Sequence, residues 1–269
     1  MRQFLVFPMF LLSASPVWAG TVAFYNFDGS PTHDASGNGR DATILGEVPP
    51  VVSNDGPHGE GAITLGMYNG LQFDYPFPFN SGNATLEFWV KVDDASKQND
   101  IFWTNTICDS GACDSNRYNI EASGGTFYVD YRPIFDENLG GWSYSVIQPV
   151  LSTSQDTFAS GVWTFVALVK DGNTFSVYFN GDQTPNQSFT VPANGSAYPT
   201  SSAWTLNGRV FVDYYGPPSQ LQFEGQIADL RISDTALAPG DFLYSPEPGT
   251  WGLLFIGATA LLPGRRRRR

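Results

Sequence analysis

The chain has 269 residues, 42% of them hydrophobic and 15% aromatic, so it can bury a substantial core and whole-chain disorder is excluded. Charged residues make up only 15%, and 28 Gly with 19 Pro break the chain too often for long amphipathic helices, which points to β structure. The formal net charge is −12, and five of the 14 basic residues stand together in Arg265–Arg269, so the body of the chain repels phosphate backbones and no nucleic-acid partner is expected. At the start of the chain, Met1-Arg2-Gln3 is a short basic region and Phe4–Leu12 is apolar. Val17 and Ala19 then put small residues at the −3 and −1 positions of a cleavage site before Gly20. Residues 1–19 are therefore expected to be a secretory signal peptide, a short helix removed between Ala19 and Gly20 on export.

Residues 20–244 carry no fixed-period repeat and no low-complexity linker, and their punctuation is that of short strands joined by turns. Thr21–Phe27 alternates in part and ends at Asp28-Gly29. Strands are expected next at Arg40–Leu45, Ala62–Leu65 and Gly70–Phe73. Ala84–Val92 is cleaner, with Leu86, Phe88, Val90 and Val92 on one face and Thr85, Glu87 and Lys91 on the other. Ile101–Thr106, Tyr118–Ala122, Thr126–Tyr131 and Tyr144–Val150 follow. Trp163–Lys170 is apolar on both faces, as a central strand should be. Asp171-Gly172 turns it back into Thr174–Phe179, and Asn180-Gly181 makes the next reversal. Trp204–Phe211 and Phe223–Ile232 complete the set, with one helical turn expected near Pro239–Leu243. A dozen short strands in this length suit an all-β, two-sheet antiparallel jelly-roll sandwich.

Five blocks in order carry a family resemblance. They are Phe24–Gly29 with Asp34–Ala42, Ala84–Lys91, Trp163–Gly172, Val177–Gly181 and Phe223–Ile232. Together they resemble a laminin-G-like domain of the concanavalin A-like type, across Ala23–Tyr244. The resemblance implies two curved antiparallel sheets with the first and last strands side by side. It also implies glycan or protein binding, in some members with Ca²⁺.

The chain ends on a second address. Pro246-Glu247-Pro248 precedes an apolar stretch, Gly249–Pro263, and then Arg265–Arg269. Fifteen helical residues span about 22 Å, short of a hydrocarbon core of about 30 Å. The arginines should stay cytoplasmic and leave the domain outside. This order resembles the PEP-CTERM sorting signal of Gram-negative bacteria, over residues 245–269. The resemblance implies an exosortase as processing partner, transient attachment to the inner membrane through 249–263, and final placement at the cell surface or outside the cell.

Candidate chemistry is sparse. No glutamate is followed two residues later by another carboxylate, so the paired-carboxylate strand of related glycoside hydrolases is missing. No G-x-S-x-G turn accompanies the two histidines, His33 and His58, and no enzyme is expected. Cys108 and Cys113 enclose four residues, and in an exported chain a local disulfide is the expected use. Asp34-x-Ser36-x-Asn38-Gly39 reads either as an Asx-rich turn or as part of a Ca²⁺ site. In the second case Asp28, Asp34, Asn38 and Asp229 would be its ligands. Tyr131, Trp142, Tyr144, Tyr214 and Tyr215 fall near strand ends or loops, where flat rings can stack on sugars. These readings lead to a non-catalytic binding or matrix protein that engages extracellular polysaccharide or another surface component, with a ligand-free structural protein and a carbohydrate-active enzyme as the alternatives.

Overall fold

Alternation in the sequence becomes pairing in space. A computed structural model describes residues 20–66, 68–76, 79, 82–104, 118–131, 148–152, 157–190, 204–206 and 223–244. The strands are Thr21–Tyr25 (β1), Thr43–Leu45 (β2), Val51–Ser53 (β3), Ala62–Leu65 (β4), Gly70–Phe73 (β5), Ala84–Val92 (β6), Gln98–Thr104 (β7) and Tyr118–Ser123 (β8). Thr126–Tyr131 (β9), Gln148–Ser152 (β10), Thr164–Asp171 (β11), Thr174–Phe179 (β12), Gln187–Thr190 (β13), Trp204–Leu206 (β14) and Gly225–Ser233 (β15) follow. Every pairing is antiparallel, and the strands form two sheets. One runs β13-β12-β11-β6-β15-β4-β3, with β1 also on β15; the other runs β10-β9-β8-β7-β14-β5-β2. Among the described residues there is no α-helix, and the chain is an all-β antiparallel sandwich of the jelly-roll kind.

The faces of β6 fall as its period-2 pattern requires. Leu86, Phe88, Val90 and Val92 point between the sheets and meet Phe102, Phe127, Trp204 and Phe223, all buried. Burying one such side chain contributes about 1.5–3 kcal/mol. The other face of β6 is also covered, which explains why β11 is apolar on both sides. Trp89, Phe165, Ala167 and Val169 form a second buried layer on the outer face of the eight-stranded sheet. Phe242 and Leu243 cap it from the segment Asp234–Tyr244, called here the strap.

The strap contains the expected helical turn, a 3-10 turn at Pro239–Asp241. The first and last strands do lie side by side, with Tyr25 opposite Leu230. β15 is shared along its length, pairing β4 through Gly225–Ala228 and β1 from Leu230 onward. Between them the register against β6 shifts at Asp229, which adopts a left-handed φ of 46°. That is a bulge, one residue inserted where the strand changes partner.

Several boundaries differ from the sequence reading. The start of the expected Arg40–Leu45 strand is loop, because the Arg40 N–H donates to Asp34 Oδ2 at 3.0 Å and the Ala42 N–H to the Thr32 carbonyl at 2.8 Å. β3 and β13 were not expected from the sequence; they are a three-residue edge after Pro49-Pro50 and a polar edge with one apolar residue, Phe189. The signal segment 1–19 and the tail 245–269 lie outside the described residues. No helix among the described residues is long and apolar enough to cross a membrane.

Candidate functional site

The β15 bulge gathers carboxylates. Gly61, just before β4, passes so close to Asn26 and Phe27 that a Cβ there would collide with their backbone. This approach lets the Gly61 N–H donate to Asp28 Oδ1 at 3.0 Å, while Asn26 Nδ2 donates to Asp28 Oδ2 at 3.0 Å. Asp28 and Glu60 lie near enough for their charges to act on the half-buried Asp229. Burial, reinforced by the Glu60 and Asp28 charges, pushes the Asp229 carboxyl up to about 7.

The other two residues of the expected calcium set, Asp34 and Asn38, are engaged elsewhere. Asp34 Oδ1 accepts the N–H groups of Phe24 at 3.0 Å and Ser36 at 2.9 Å, and Oδ2 accepts that of Arg40. Burial works against the ionised form there, but these donors outweigh it and hold Asp34 below the usual carboxylate range. Asn38 Nδ2 donates to the Thr21 and Val22 carbonyls at 3.0 and 3.1 Å. The segment around Asp34 is thus a side-chain-to-backbone turn that ties the loop to β1. Among the described residues, no three His, Cys, Asp or Glu side chains form a group able to hold a metal ion.

A second polar group lies on the seven-stranded sheet. In β8, Ile120 and Ala122 enter the core, so Glu121 and Ser123 face outward, and in β9 Phe127 and Val129 enter it and leave Tyr128 outward. Glu121 stands directly opposite Asp100 of β7 on one side and Tyr128 of β9 on the other. Gln98 lies two residues before Asp100; its Nε2 donates to Glu121 Oε2 at 2.8 Å and reaches Asp100 Oδ1 at 3.5 Å. Asp100 is only 2% exposed. The partly exposed amide of Gln98, carboxylate of Glu121 and phenol of Tyr128 offer both donors and acceptors to the hydroxyls of a sugar, with the buried Asp100 behind them. Scanning single strands for carboxylates misses this group because Asp100 and Glu121 meet across strands.

The remaining expected site residues fall as follows. Tyr131 ends β9, in register with Tyr118 and Gln148. Trp142, Tyr144, Tyr214, Tyr215, Cys108, Cys113, Ala19 and Pro246-Glu247-Pro248 lie outside the described residues. Gly20 has a left-handed φ of 84°, and its carbonyl accepts the Asp234 N–H at 2.8 Å.

The strap is held by an ion pair that the sequence reading did not single out. Glu87 and Arg231, on adjacent strands, are 0% and 6% exposed. Arg231 Nε and one terminal nitrogen donate to Glu87 Oε2 at 2.6 and 2.5 Å. The same guanidinium donates to the Asp241 carbonyl at 2.7 Å, and the Leu243 N–H donates to Glu87 Oε1 at 2.8 Å. Burial pushes the Glu87 carboxyl upward, opposed by the Arg231 charge and the Leu243 N–H.

Comparisons with known proteins agree with this architecture. A laminin-G-type family model, described as the concanavalin A-like lectin/glucanases superfamily, matches residues 65–241. No curated protein sequence matches the chain. The fold is similar to domain 4 of AbnA, a GH43 extracellular arabinanase from Geobacillus stearothermophilus solved with arabinotriose. That match has a TM-score of 0.52 and 20% identity, covering 83% of this chain and 96% of that one. It is also similar to the binding domain of Paraclostridial Mosquitocidal Protein 1, with a TM-score of 0.59 and 13% identity over 84% of this chain and 51% of that one. A third is the binding domain of botulinum neurotoxin DC in complex with SialylT, with a TM-score of 0.57 and 12% identity over 90% and 52%. The chain thus spans about half the length of these two binding domains. At such identities the likeness is one of fold, and the family match over most of the sandwich carries the assignment: the chain belongs to the concanavalin A-like lectin/glucanases superfamily.

Proposed function

We propose that the chain is an exported, non-catalytic binding module that engages extracellular polysaccharide through the outward face of its seven-stranded sheet. The observation that carries this reading is the group Gln98, Glu121 and Tyr128, backed by the buried Asp100, which places a donor, an acceptor and a ring on one face. The arabinotriose complex of the AbnA domain and the SialylT complex of the neurotoxin domain lend support, since similar folds are seen there with such ligands. Export through the 1–19 signal, attachment by 249–263 and processing by an exosortase at Pro246-Glu247-Pro248 belong to the same proposal, on the strength of the sequence alone.

The facing carboxylates favour one second reading, a carbohydrate-active enzyme. Residues directly opposite in antiparallel strands have Cβ atoms about 4.5–5.5 Å apart. Retaining glycosidases hold their two carboxyl groups about 5–5.5 Å apart. Against it, the Gln98 amide is bonded to Glu121 and lies close to Asp100, between the two groups that would attack the sugar and protonate the leaving oxygen. A glycan array probed with the chain separates the two readings. Retained glycan without hydrolysis supports the module, and released oligosaccharide establishes the enzyme.

A further inference from the structure

The strap fixes where the chain leaves the sandwich. Thr85 Oγ1 donates to the Thr235 carbonyl at 2.7 Å and accepts the Leu237 N–H at 2.9 Å. Glu87 and Arg231 hold the strap's far end, and the Tyr244 ring rests 5.5 Å from the rings of both Trp89 and Phe165. A Cβ on Gly181 would collide with that ring, so Tyr244 also lies against the turn after β12. Tyr244 is therefore held at one defined point on the outer face of the eight-stranded sheet.

Near that point Val162, Trp163 and Tyr244 supply apolar and aromatic surface, bordered by Asp55, whose side chain is 64% exposed. Tyr244 is 39% exposed and Val162, two residues before β11, is 53% exposed. Trp163 packs on the edge of the outer hydrophobic layer, with the Lys91 ammonium 5.0 Å over its ring. Its indole N–H donates to the Asp55 carbonyl at 3.1 Å. Tyr and Trp beside an exposed Val are residue types that settle at a membrane–water boundary with their rings at headgroup level, while Lys91 is held by the Asp55 carboxylate at 2.7 Å and is 18% exposed.

Chain length singles out this surface. The apolar stretch Gly249–Pro263 begins five residues after Tyr244. Five residues reach at most about 17 Å, whereas a folded domain of this size is about 40 Å across. With the tail in a bilayer, most of the sandwich is held away from it and the Tyr244 end is held close. Among the described residues the other exposed large hydrophobics are Ile44, Val48 and Val51, in or between the edge strands β2 and β3, and Tyr68, two residues before β5. β3 is four strands from β11, or about 19 Å.

We infer that the patch Val162, Trp163 and Tyr244 is a lipid-apposed surface that seats the sandwich on the bilayer interface in the tail-anchored form. The inference rests on the attachment through 249–263 proposed above. Its test is to mix the full chain with phosphatidylcholine vesicles containing a phospholipid with a photoactivatable diazirine in the headgroup, float the vesicles, irradiate them and map the cross-links by mass spectrometry. The chain should float, with cross-links at 162–163 and 244 several-fold above those at Val48, Val51 and Tyr68. Flotation with cross-links spread evenly, or concentrated at Val48 and Val51, overturns the lipid-apposed patch and leaves the tail attachment standing. Failure to float overturns both.

Discussion

Asp229 gives the chain's stability a dependence on pH that one residue can account for. An ordinary aspartate titrates near 3.8, and burial beside Glu60 and Asp28 raises this one to about 7. The folded state therefore holds the proton more tightly than the unfolded chain. The associated stability is complete below pH 3.8 and is lost as the pH rises toward 7. The gap corresponds to at most about 4 kcal/mol, and solvent reaching the partly exposed side chain reduces that to about 1–2 kcal/mol. Asp229→Asn removes the charge and keeps a residue that tolerates left-handed φ. Melting curves should show the variant more stable than the parent at pH 8 and equal to it near pH 4; an unchanged pH slope would refute the assignment. Asp34 acts in the opposite sense. Its lowered titration adds stability above the ordinary aspartate range that is lost as the pH falls. Asp34→Asn cannot accept all three N–H groups, and thermal unfolding should register a loss of about 1–3 kcal/mol.

At the scale of the element, the strap depends on the Glu87–Arg231 pair more than on its own length. Glu87→Gln leaves the buried Arg231 without its counter-charge, which costs about 3–5 kcal/mol in such settings. Replacing both, as Glu87→Leu with Arg231→Met, should restore much of the overall stability but not the hold on Leu243 and the Asp241 carbonyl. Amide exchange at Leu243 should then be faster than in the parent even where the melting temperature recovers. Equal protection would show that the Thr85 hydrogen bonds and the packing of Phe242 and Tyr244 fix the strap without the ion pair. Strands such as β6 and β12 were legible because strict alternation survives on them, and β11 because both its faces are covered. β3 and β13 were not, since a three-residue edge and a strand with one apolar residue leave no period to read. Glu87 looked like an ordinary outward residue of β6; only the strap, arriving more than 150 positions later, turns that face into an interior.

For the whole molecule, the sandwich was readable from ordered blocks of sequence, while the polar group of Gln98, Asp100, Glu121 and Tyr128 was not. Asp100 and Glu121 are 21 positions apart, and their meeting depends on a register set by the β7–β8 pairing and its bulge. The available signal was weaker: polar residues at alternate positions on otherwise apolar strands, which marks an outward face without saying what stands beside it. Asp28 and Asp229 were legible as neighbours because β1 and β15 pair, whereas Glu60 enters only through the tight passage at Gly61. The claim that the outward face of the seven-stranded sheet holds polysaccharide is tested most directly by titrating the full chain and its Gln98→Ala variant with an oligosaccharide taken from a positive glycan-array spot. Loss of the Nε2 donor should weaken binding about tenfold, the equivalent of about 1.4 kcal/mol, with the melting temperature changed little. Unchanged affinity in the variant, or no binding of the parent to any glycan, would contradict the account.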